Sequence, residues 1–439
     1  MTKEQFYYQE IQQFLASRRR GMMIKSEAYF DGKHDILLQN RQALGEDGKL
    51  EDIENVPNNH VVDNQFECMV SQKTNYMFSK KITIKTENKK YQEALQPYFN
   101  NLFQLKLQKI GKEAILGGID YVYPYYDDKG NLDFDIFMPF EIIPYWTDSM
   151  HINMDVAVRV FDVEAYEGET KKMVTKAEIF TNTGIKRFDV TEDAILPDMD
   201  QPISSYIVRK EDDETVTEYD WERFPIIPFK YNDREIPLLA KIKSLQDGIN
   251  TMLSTFENNM EDDPRSCILI LENYDGENLG EFRHNLSAYG AVKVRSVDGG
   301  KGGVTTLQIT VNAENYKSIL KLYKDALIEN AHGFDSKDDR LSGSPNEMNI
   351  RSMYSDLDLD ANGIETQFRA SLEKLLWFID QDLKNKGKGD FENEVVEFVF
   401  NRDIMANNAE DINNCKNSLD IVSKKTALAH HPYIADVDA

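Results

Sequence analysis

The feature that most constrains this fold is a regular apolar stripe in the segment 237–260. Apolar residues recur there at alternating steps of four and three: Leu238, Ile242, Leu245, Ile249, Met252 and Phe256. This spacing predicts one long helix whose narrow apolar face packs against long neighbours, including copies of itself. Pro237 suits the first turn of that helix, and 262–264 is expected to end it. Its length would be roughly 36 Å at the usual rise per residue.

A second long helix is predicted at 312–330, after an insert of different character. Its apolar face is formed by Tyr316, Ile319, Leu320, Tyr323 and Leu327. The insert follows a β-α-β-β pattern, with elements at 267–271, 279–286, 291–297 and 304–311. Two long helices therefore leave and return to one body, with a small module between them.

The rest of the chain predicts a mixed body, so the fold class is α+β. Helices are expected to about Leu15 and at 61–78, 91–116, 350–383 and 408–429. Antiparallel strands are expected at 121–126, 132–138, 156–161, 173–180, 185–190 and 395–400. The triplet 18–20 is interpreted as a solvated helix end, and 198–214 and 335–349 as polar loops.

Composition excludes several classes of protein. The net charge of −25 over 439 residues argues against tight, sequence-independent binding of nucleic acid. It leaves two interpretations open, a solubilising surface or an acidic wall that repels phosphate. The sequence has no apolar run long enough to span a membrane and no signal peptide. Its three separated cysteines indicate reduced, buried thiols and a cytosolic setting.

Each candidate for a metal or phosphate site has a simpler interpretation. Asp358, Asp360, Asn362 and Gly363 imitate the start of a calcium loop, but Arg369 stands where a bidentate Glu is needed. A helix-borne acidic cluster is therefore favoured. The glycines of 299–303 lack the order of a phosphate-binding loop and favour a hairpin turn. We predict no catalytic residue, metal site or cofactor.

Four short motifs, together with this order of elements, resemble bacteriophage portal proteins, also called head-to-tail connectors. The closest likeness is to the branch found in long-tailed phages of Gram-positive hosts. The motifs are Tyr29 to Ile36, Asn58 and Asn59 with Lys73 to Phe78, Met138 to Pro144, and Ser423 to Thr426 with Pro432 and Asp436. The likeness covers nearly the whole chain, although portals of this branch usually continue beyond such a C-terminus.

The resemblance implies a ring, usually of twelve identical subunits, at one capsid vertex of the virion. It implies a wing body (1–235), stem helix (236–262), clip (263–311), second stem helix (312–333), tunnel loop (334–349), returning helix and strand (350–404) and short or truncated crown (405–439). Double-stranded DNA would pass through the ring without tight binding, while terminase, head-tail adaptor, capsid and scaffold proteins would dock on it. The protein would be made in the host cytoplasm and would contact no membrane. Because the sequence has no P-loop, ATP hydrolysis is expected in another polypeptide.

The resemblance also suggests roles for individual residues. The residues expected in the DNA-channel loop are Lys337, Asp338, Asp339, Arg340 and Asn346. Those expected on the partner-facing end of the clip are Asp298, Gly299, Gly300 and Lys301. The apolar stripe from Leu238 to Phe256 would pack between subunits. Two alternatives are a metal-dependent phosphodiesterase that uses clustered carboxylates and a coiled-coil structural adaptor.

Overall fold

The computed structural model describes residues 2–44, 49–52, 57–167, 170–210, 216–262, 268–272, 303–307, 313–335, 347–402, 408–419, 423, 424 and 426. The chain divides into a larger unit of residues 1–33, 64–243 and 326–439 and a smaller unit of residues 34–63 and 244–325. The described helices are α1 (Lys3–Leu15), α2 (Arg18–Phe30), α3 (Gln65–Phe78), α4 (Lys89–Leu95), α5 (Asn101–Gly117), α6 (Leu238–Asp262), α7 (Ala313–Asn330), α8 (Glu347–Asn385) and α9 (Asn408–Ser418).

The strands form separate antiparallel sheets. They are β1 (Gln42–Leu44), β2 (Leu50–Asp52), β3 (Thr83–Lys85), β4 (Ile119–Tyr126), β5 (Leu132–Phe137), β6 (Ile142–Trp146), β7 (Met154–Glu167), β8 (Thr170–Thr181), β9 (Gly184–Val190), β10 (Ile195–Pro197), β11 (Ile203–Ser204), β12 (Ile207–Lys210), β13 (Val216–Tyr219), β14 (Ile227–Lys230), β15 (Ile268–Glu272), β16 (Gly303–Leu307) and β17 (Glu397–Val399). Helices and antiparallel sheets together confirm the α+β class.

The largest sheet of the larger unit has the order β10-β9-β8-β7-β6, with β11 paired to β9. Helix α1 covers one face of it through Ile11, which is fully buried. The sheet contributes Ile143, Val158, Val160, Ala177, Ile179, Phe188 and Ile195 to this core. The alternating strands predicted for this region therefore exist, and each is longer than its apolar pattern.

A second core in the larger unit surrounds α5 and α8. The Phe368 ring of α8 lies 5.0 Å from Phe78 of α3 and 5.2 Å from Phe229 of β14. Gly111 of α5 allows this close packing, because a Cβ there would come within 2.2 Å of the Phe78 ring. β14 pairs with β4, and β17 pairs with β3, which ties the chain after α8 back to this core.

In the smaller unit, β15 pairs antiparallel with β16, from Ile268 opposite Leu307 to Glu272 opposite Gly303. These are the first and last strands of the predicted insert. Its predicted helix and middle strand, 279–286 and 291–297, lie outside the described residues. β1 and β2 form a second small hairpin in this unit.

Four sequence predictions about local structure were wrong. The helix predicted at 91–116 is two helices, because Pro97 cannot donate the hydrogen bond that a continuous helix needs. The arginines at 18–20 begin α2 and do not end a helix, since the Ser17 side chain caps its first turn. The segment 198–214 contains the short strands β11 and β12. Cys68 is exposed on α3 where a buried thiol was expected.

Candidate functional site: the long helices and the base of the segment 336–346

The apolar stripe predicted on the first long helix lies on α6. Leu238, Ile242 and Ile249 are fully buried within a single chain. Leu245, Met252 and Phe256 are half-buried. The structure thus confirms the helix and its apolar face, whereas packing of that face between subunits stays a prediction.

Helix α7 packs antiparallel to α6 in the smaller unit. The Phe256 ring lies 5.2 Å from the Tyr316 ring, and the Asn259 amide donates a hydrogen bond of 3.2 Å to the Tyr316 hydroxyl. Eight residues before Phe256 on α6, or about two turns, Gly248 lies against Tyr323, where a Cβ would come within 2.8 Å of the ring. Higher residue numbers on α6 meet lower residue numbers on α7, so the two helices run in opposite directions.

A second stripe on α6 is polar and binds an extended stretch of backbone. Asn250 Oδ1 accepts a hydrogen bond of 3.1 Å from the Asp63 amide, and Ser254 Oγ accepts one of 2.9 Å from Val61. Asn258 Oδ1 accepts the third, of 2.7 Å, from the Asn59 amide. The side chains recur every four residues on the helix, and the amides recur every two residues along the extended segment.

The rise per residue of a helix and of an extended chain explains why every fourth side chain of α6 meets every second amide of the segment 59–63. Four helical residues advance by about 6 Å, and two extended residues by about 6.6 Å, so successive side chains meet successive amides. Gln246 and His34 complete the stripe in the same unit. Gln246 donates to the Asp63 carbonyl at 2.8 Å, and the Asn250 amide lies 2.7 Å from His34 Nδ1. Asn59 and His34 both belong to motifs that carried the family resemblance.

Immediately before α6, three cationic or ionisable side chains surround Glu235. Arg19 lies 2.7 Å from its carboxylate, His151 lies 2.8 Å away and Lys230 lies 3.3 Å away. Burial alone would raise the pKa of Glu235, but these neighbours, Arg19 foremost, hold it below its ordinary value. Arg19 of the supposed solvated triplet is therefore half of a partly buried ion pair.

The residues predicted to form the DNA-channel loop, Lys337, Asp338, Asp339, Arg340 and Asn346, lie outside the described residues. So do the predicted clip residues Asp298, Gly299, Gly300 and Lys301. The structure instead describes the base of the segment 336–346, which consists of residues 332–335 before it and the start of α8 after it. We call this the loop base.

The side chain of Gln72 on α3 forms hydrogen bonds with the backbone of the segment 332–335, the first part of the loop base. It accepts a hydrogen bond of 2.7 Å from the Phe334 amide and donates one of 2.7 Å to the Phe334 carbonyl. Gly333 lies against Met69, and a Cβ there would come within 2.4 Å of the sulfur. Both backbone groups of Phe334 are thus satisfied by one amide side chain.

Lys73, the next residue of α3, binds both sides of the loop base. Its ammonium donates to the His332 carbonyl at 3.2 Å and forms an ion pair of 2.7 Å with Asp360 of α8. The side chain of Lys73 is 1% exposed. Burial lowers the pKa of this ammonium, and the Asp360 carboxylate opposes that change. Within the described ranges Asp360 is the one carboxylate that pairs with this buried cation, and the pair fixes where α8 lies against α3.

Aromatic rings close the loop base on its other side. Phe334 stacks on Tyr354 of α8 at 4.3 Å, and Tyr354 lies 6.0 Å from Tyr76 of α3. The Tyr76 hydroxyl donates to Asp358, and burial together with this carboxylate raises the pKa of Tyr76. Arg402 reaches Asp358 at 3.6 Å. The acidic residues that imitate a calcium loop, Asp358 and Asp360, therefore lie on a helix, as predicted, and the structure adds that both have partners.

Sequence reasoning assigned no role to Gln72, Lys73 or the polar stripe of α6. For Lys73 a signal was available, because it continues the apolar spacing of Phe66, Val70 and Met77 and so occupies a buried position on α3. Among the described residues there is no cluster of ligands arranged for a metal ion, and no helix combines the length and apolar character of a membrane span.

Comparison with known proteins gives a consistent result over nearly the whole chain. Residues 16–439 match the family described as "Phage portal protein, SPP1 Gp6-like". The portal protein of Bacillus phage SPP1 is 27% identical over 429 residues, covering 97% of this chain and 83% of that protein. The portal protein of Clostridium phage phiCD119 is 25% identical over 437 residues, covering 96% of this chain and 91% of its own length. These are structural phage proteins and not enzymes, and both relatives come from phages of Gram-positive hosts. The chain belongs to the SPP1 Gp6-like family of phage portal proteins.

Proposed function

We propose that this portal protein assembles into a ring of twelve subunits at one capsid vertex, and that double-stranded DNA passes through the ring during packaging and ejection. The family match over residues 16–439 is the observation that carries this proposal. The antiparallel pair α6 and α7 supports it, because two long packed helices suit the wall of a channel. In this proposal α6 and α7 are the stem and the insert between them is the clip.

The charge of the chain favours passage of DNA over capture. Each subunit carries a net charge of −25, so a ring would repel phosphate over much of its surface. We assign transient phosphate contact to Lys337 and Arg340, within the loop that also contains Asp338, Asp339 and Asn346. The loop base supports this assignment, since Gln72 and Lys73 of α3 bind residues 332 and 334 before the segment 336–346 and Lys73 also binds Asp360 of α8, the helix that follows it. DNA association is then expected to depend only weakly on salt, because few phosphates are neutralised.

The same ring would be a docking platform for other virion proteins. We place terminase and, later, the head-tail adaptor at the clip end that includes Asp298, Gly299, Gly300 and Lys301. Capsid and scaffold proteins would contact the body. The protein would reach the virion from the host cytoplasm, as part of capsid assembly.

Electron microscopy of the purified protein tests the ring directly. Annular particles with a central hole are expected, and a strictly monomeric protein at high concentration would contradict the proposal. Deleting residues 342–346 should leave rings intact but impair DNA packaging. Normal packaging by that variant would remove the proposed role of the loop.

A test of the contact between subunits requires a variant that does not disrupt the fold of the single chain. Ile249 is fully buried within the chain, so Ile249→Asp would disrupt folding as well as any subunit contact. Leu322 of α7 is 65% exposed and offers a cleaner test. Leu322→Asp is expected to reduce ring yield, whereas Met199→Asp, at a residue 96% exposed in the larger unit, should not. Equal ring yields would exclude Leu322 from the subunit contact.

A further inference from the structure

Two asparagines, Asn250 and Asn64, hold the ends of the segment 34–63, which belongs to the smaller unit and interrupts the sequence of the larger one. Asn250 of α6 contacts both ends of this segment within the smaller unit. Its Oδ1 accepts a hydrogen bond of 3.1 Å from the Asp63 amide, and its side-chain amide lies 2.7 Å from His34 Nδ1. Asn250 is fully buried, so α6 fixes both ends of the segment through one residue that is shielded from water.

Asn64, the first residue back in the larger unit, joins the end of α2 to the start of α3. Its Oδ1 accepts a hydrogen bond of 3.0 Å from the Glu67 amide and so caps the first turn of α3. Its Nδ2 donates to the carbonyls of Tyr29, at 2.8 Å, and Phe30, at 3.2 Å, in the last turn of α2. One side chain therefore fixes where α3 begins relative to the end of α2.

Helix α3 connects this cap to the loop base. Gln72 and Lys73 lie about two turns beyond Asn64 and bind the backbone of residues 334 and 332. The connection from α6 to the loop base therefore consists of side-chain hydrogen bonds to the segment 59–63, the peptide bond between residues 63 and 64, and one helix. Hydrogen-bond networks and stiff helices of this kind can carry energetic coupling between distant sites.

We propose that Asn64 is a positioning residue that couples the polar stripe of α6 to the loop base. While α6 holds the segment 59–63, Asn64 stays in place and α3 presents its two binding side chains to the loop base. When that hold weakens, the cap of α3 loosens and the backbone of the loop base is bound less firmly. The proposal rests on the proposed function for its consequence, that α6 of the stem influences the base of the channel loop.

Hydrogen exchange of the purified full chain tests the coupling, and two neighbouring asparagines of α6 supply the variant and its control. Asn258 binds the Asn59 amide, whereas Asn259 binds the Tyr316 hydroxyl of α7. Asn258→Ala should accelerate exchange of the Phe334 amide about threefold, because one hydrogen bond contributes a factor of about five and only part of it reaches the loop base. Asn259→Ala should leave that exchange unchanged. Equal effects of the two variants, or no effect of Asn258→Ala, would overturn the proposal.

A double variant shows whether the effect passes through Asn64. Asn64→Ala alone should accelerate exchange at Phe334, and adding Asn258→Ala should then change it little, because the coupling is already lost. Effects that simply add would exclude Asn64 from the coupling. If Asn64→Ala folds poorly, Asn64→Ser, which retains a capping oxygen but loses the amide donor to α2, replaces it.

Two further readouts separate the coupling from other causes. Exchange at Ile179, a buried residue of β8, should stay the same in every variant. Acceleration at Ile179 equal to that at Phe334 would show a general loss of stability and would overturn the proposal. The exchange measurement does not depend on ring formation, so its failure is distinct from a failure of the proposed function, which electron microscopy detects.

Discussion

The carboxylate of Asp360 lies against the buried ammonium of Lys73, whereas the carboxyl group of Glu27 lies beside that of a second acid, Glu113. Both regions belong to the larger unit, and both bury carboxyl groups among helices. At the loop base one cation faces one anion at 2.7 Å. Between α2 and α5, Glu27 and Glu113 share their surroundings with the fully buried Asp120. The comparison separates two ways of burying an acid, by pairing its charge or by suppressing it.

In the second cluster, burial and neighbouring acids suppress the charge of Glu27 and Asp120. Burial, followed by Glu113, raises the pKa of Glu27 from 4.5 to about 8. Burial also raises the pKa of Asp120 well above its usual range, with Glu113 as the next cause. The cations that oppose these shifts are Lys112 for Glu27 and Lys109 for Asp120, while Asp31 adds to the repulsion at Glu27. A proton on Glu27 can bridge to Glu113, whose carboxylate also forms an ion pair of 3.0 Å with Lys112.

Breaking the paired region should have the largest effect. Lys73→Met removes the only described cation that contacts Asp360, and leaves that carboxylate with a hydrogen bond of 3.3 Å from the Tyr231 hydroxyl but no counter-charge at the loop base. Loss of one partner of a buried ion pair costs about 3–5 kcal/mol, so we expect a fall of that order in the free energy of unfolding. Urea denaturation measures it. Hydrogen exchange at residues 332–334 should also accelerate, since Lys73 binds the His332 carbonyl.

The double variant Lys73→Met with Asp360→Leu is the control for that prediction. If the cost arises from an unpaired charge, removing Asp360 as well should restore part of the stability. A double variant less stable than Lys73→Met would show that packing of the lysine stem, and not its charge, stabilises the loop base.

How far the sequence predicts these regions depends on the distance along the chain between partners. The apolar stripe of α6 was predictable because helical periodicity is local to about twenty residues. The polar stripe was not, since Asn250, Ser254 and Asn258 are recognisable only when the backbone of 59–63 is placed beside them. The same holds for the loop base, where Lys73 meets a carboxylate 287 residues further along.

Other failures were of local interpretation. Pro97 interrupts the helical pattern at 91–116, but the pattern is strong on both sides of it and therefore predicts one continuous helix. At Ser17 and the arginines after it the sequence predicts a helix end, because the helical pattern before them stops at Leu15. The predicted channel and clip residues remain predictions, since they lie in the parts of the chain that the structure does not describe. Family resemblance, not residue chemistry, supplied their roles.

Altering the protonated cluster should have a smaller effect of opposite sign. Because the pKa of Glu27 is higher in the folded state, its contribution to stability is fully present below about pH 4.5 and is lost as the pH rises to about 8. Glu27→Gln cannot ionise and should escape this loss. At pH 9 we expect the variant to be more stable than wild type by about 1–2 kcal/mol, a range reduced for the partial exposure of Glu27.

The measurement is thermal unfolding of both proteins from pH 5 to pH 9. The two curves should lie close together at pH 5 and separate as the pH rises. Glu93→Gln, at an exposed position of α4, should follow the wild type throughout. A constant difference between Glu27→Gln and wild type at every pH would mean that Glu27 does not titrate in this range.

The smallest effect is expected where an ion pair is short but exposed. Lys171 lies 2.5 Å from Glu164 on the hairpin of β7 and β8, a shorter distance than that between Lys73 and Asp360. Both side chains are about half exposed, so water solvates the charges whether or not they pair. Lys171→Met should therefore change the free energy of unfolding by less than about 0.5 kcal/mol, and by still less at high salt. Urea denaturation under the conditions used for Lys73→Met makes the comparison direct. If the two lysine variants lost similar stability, distance and not burial would determine what an ion pair contributes in this protein, and the contrast between the loop base and the carboxyl cluster would lose its physical basis.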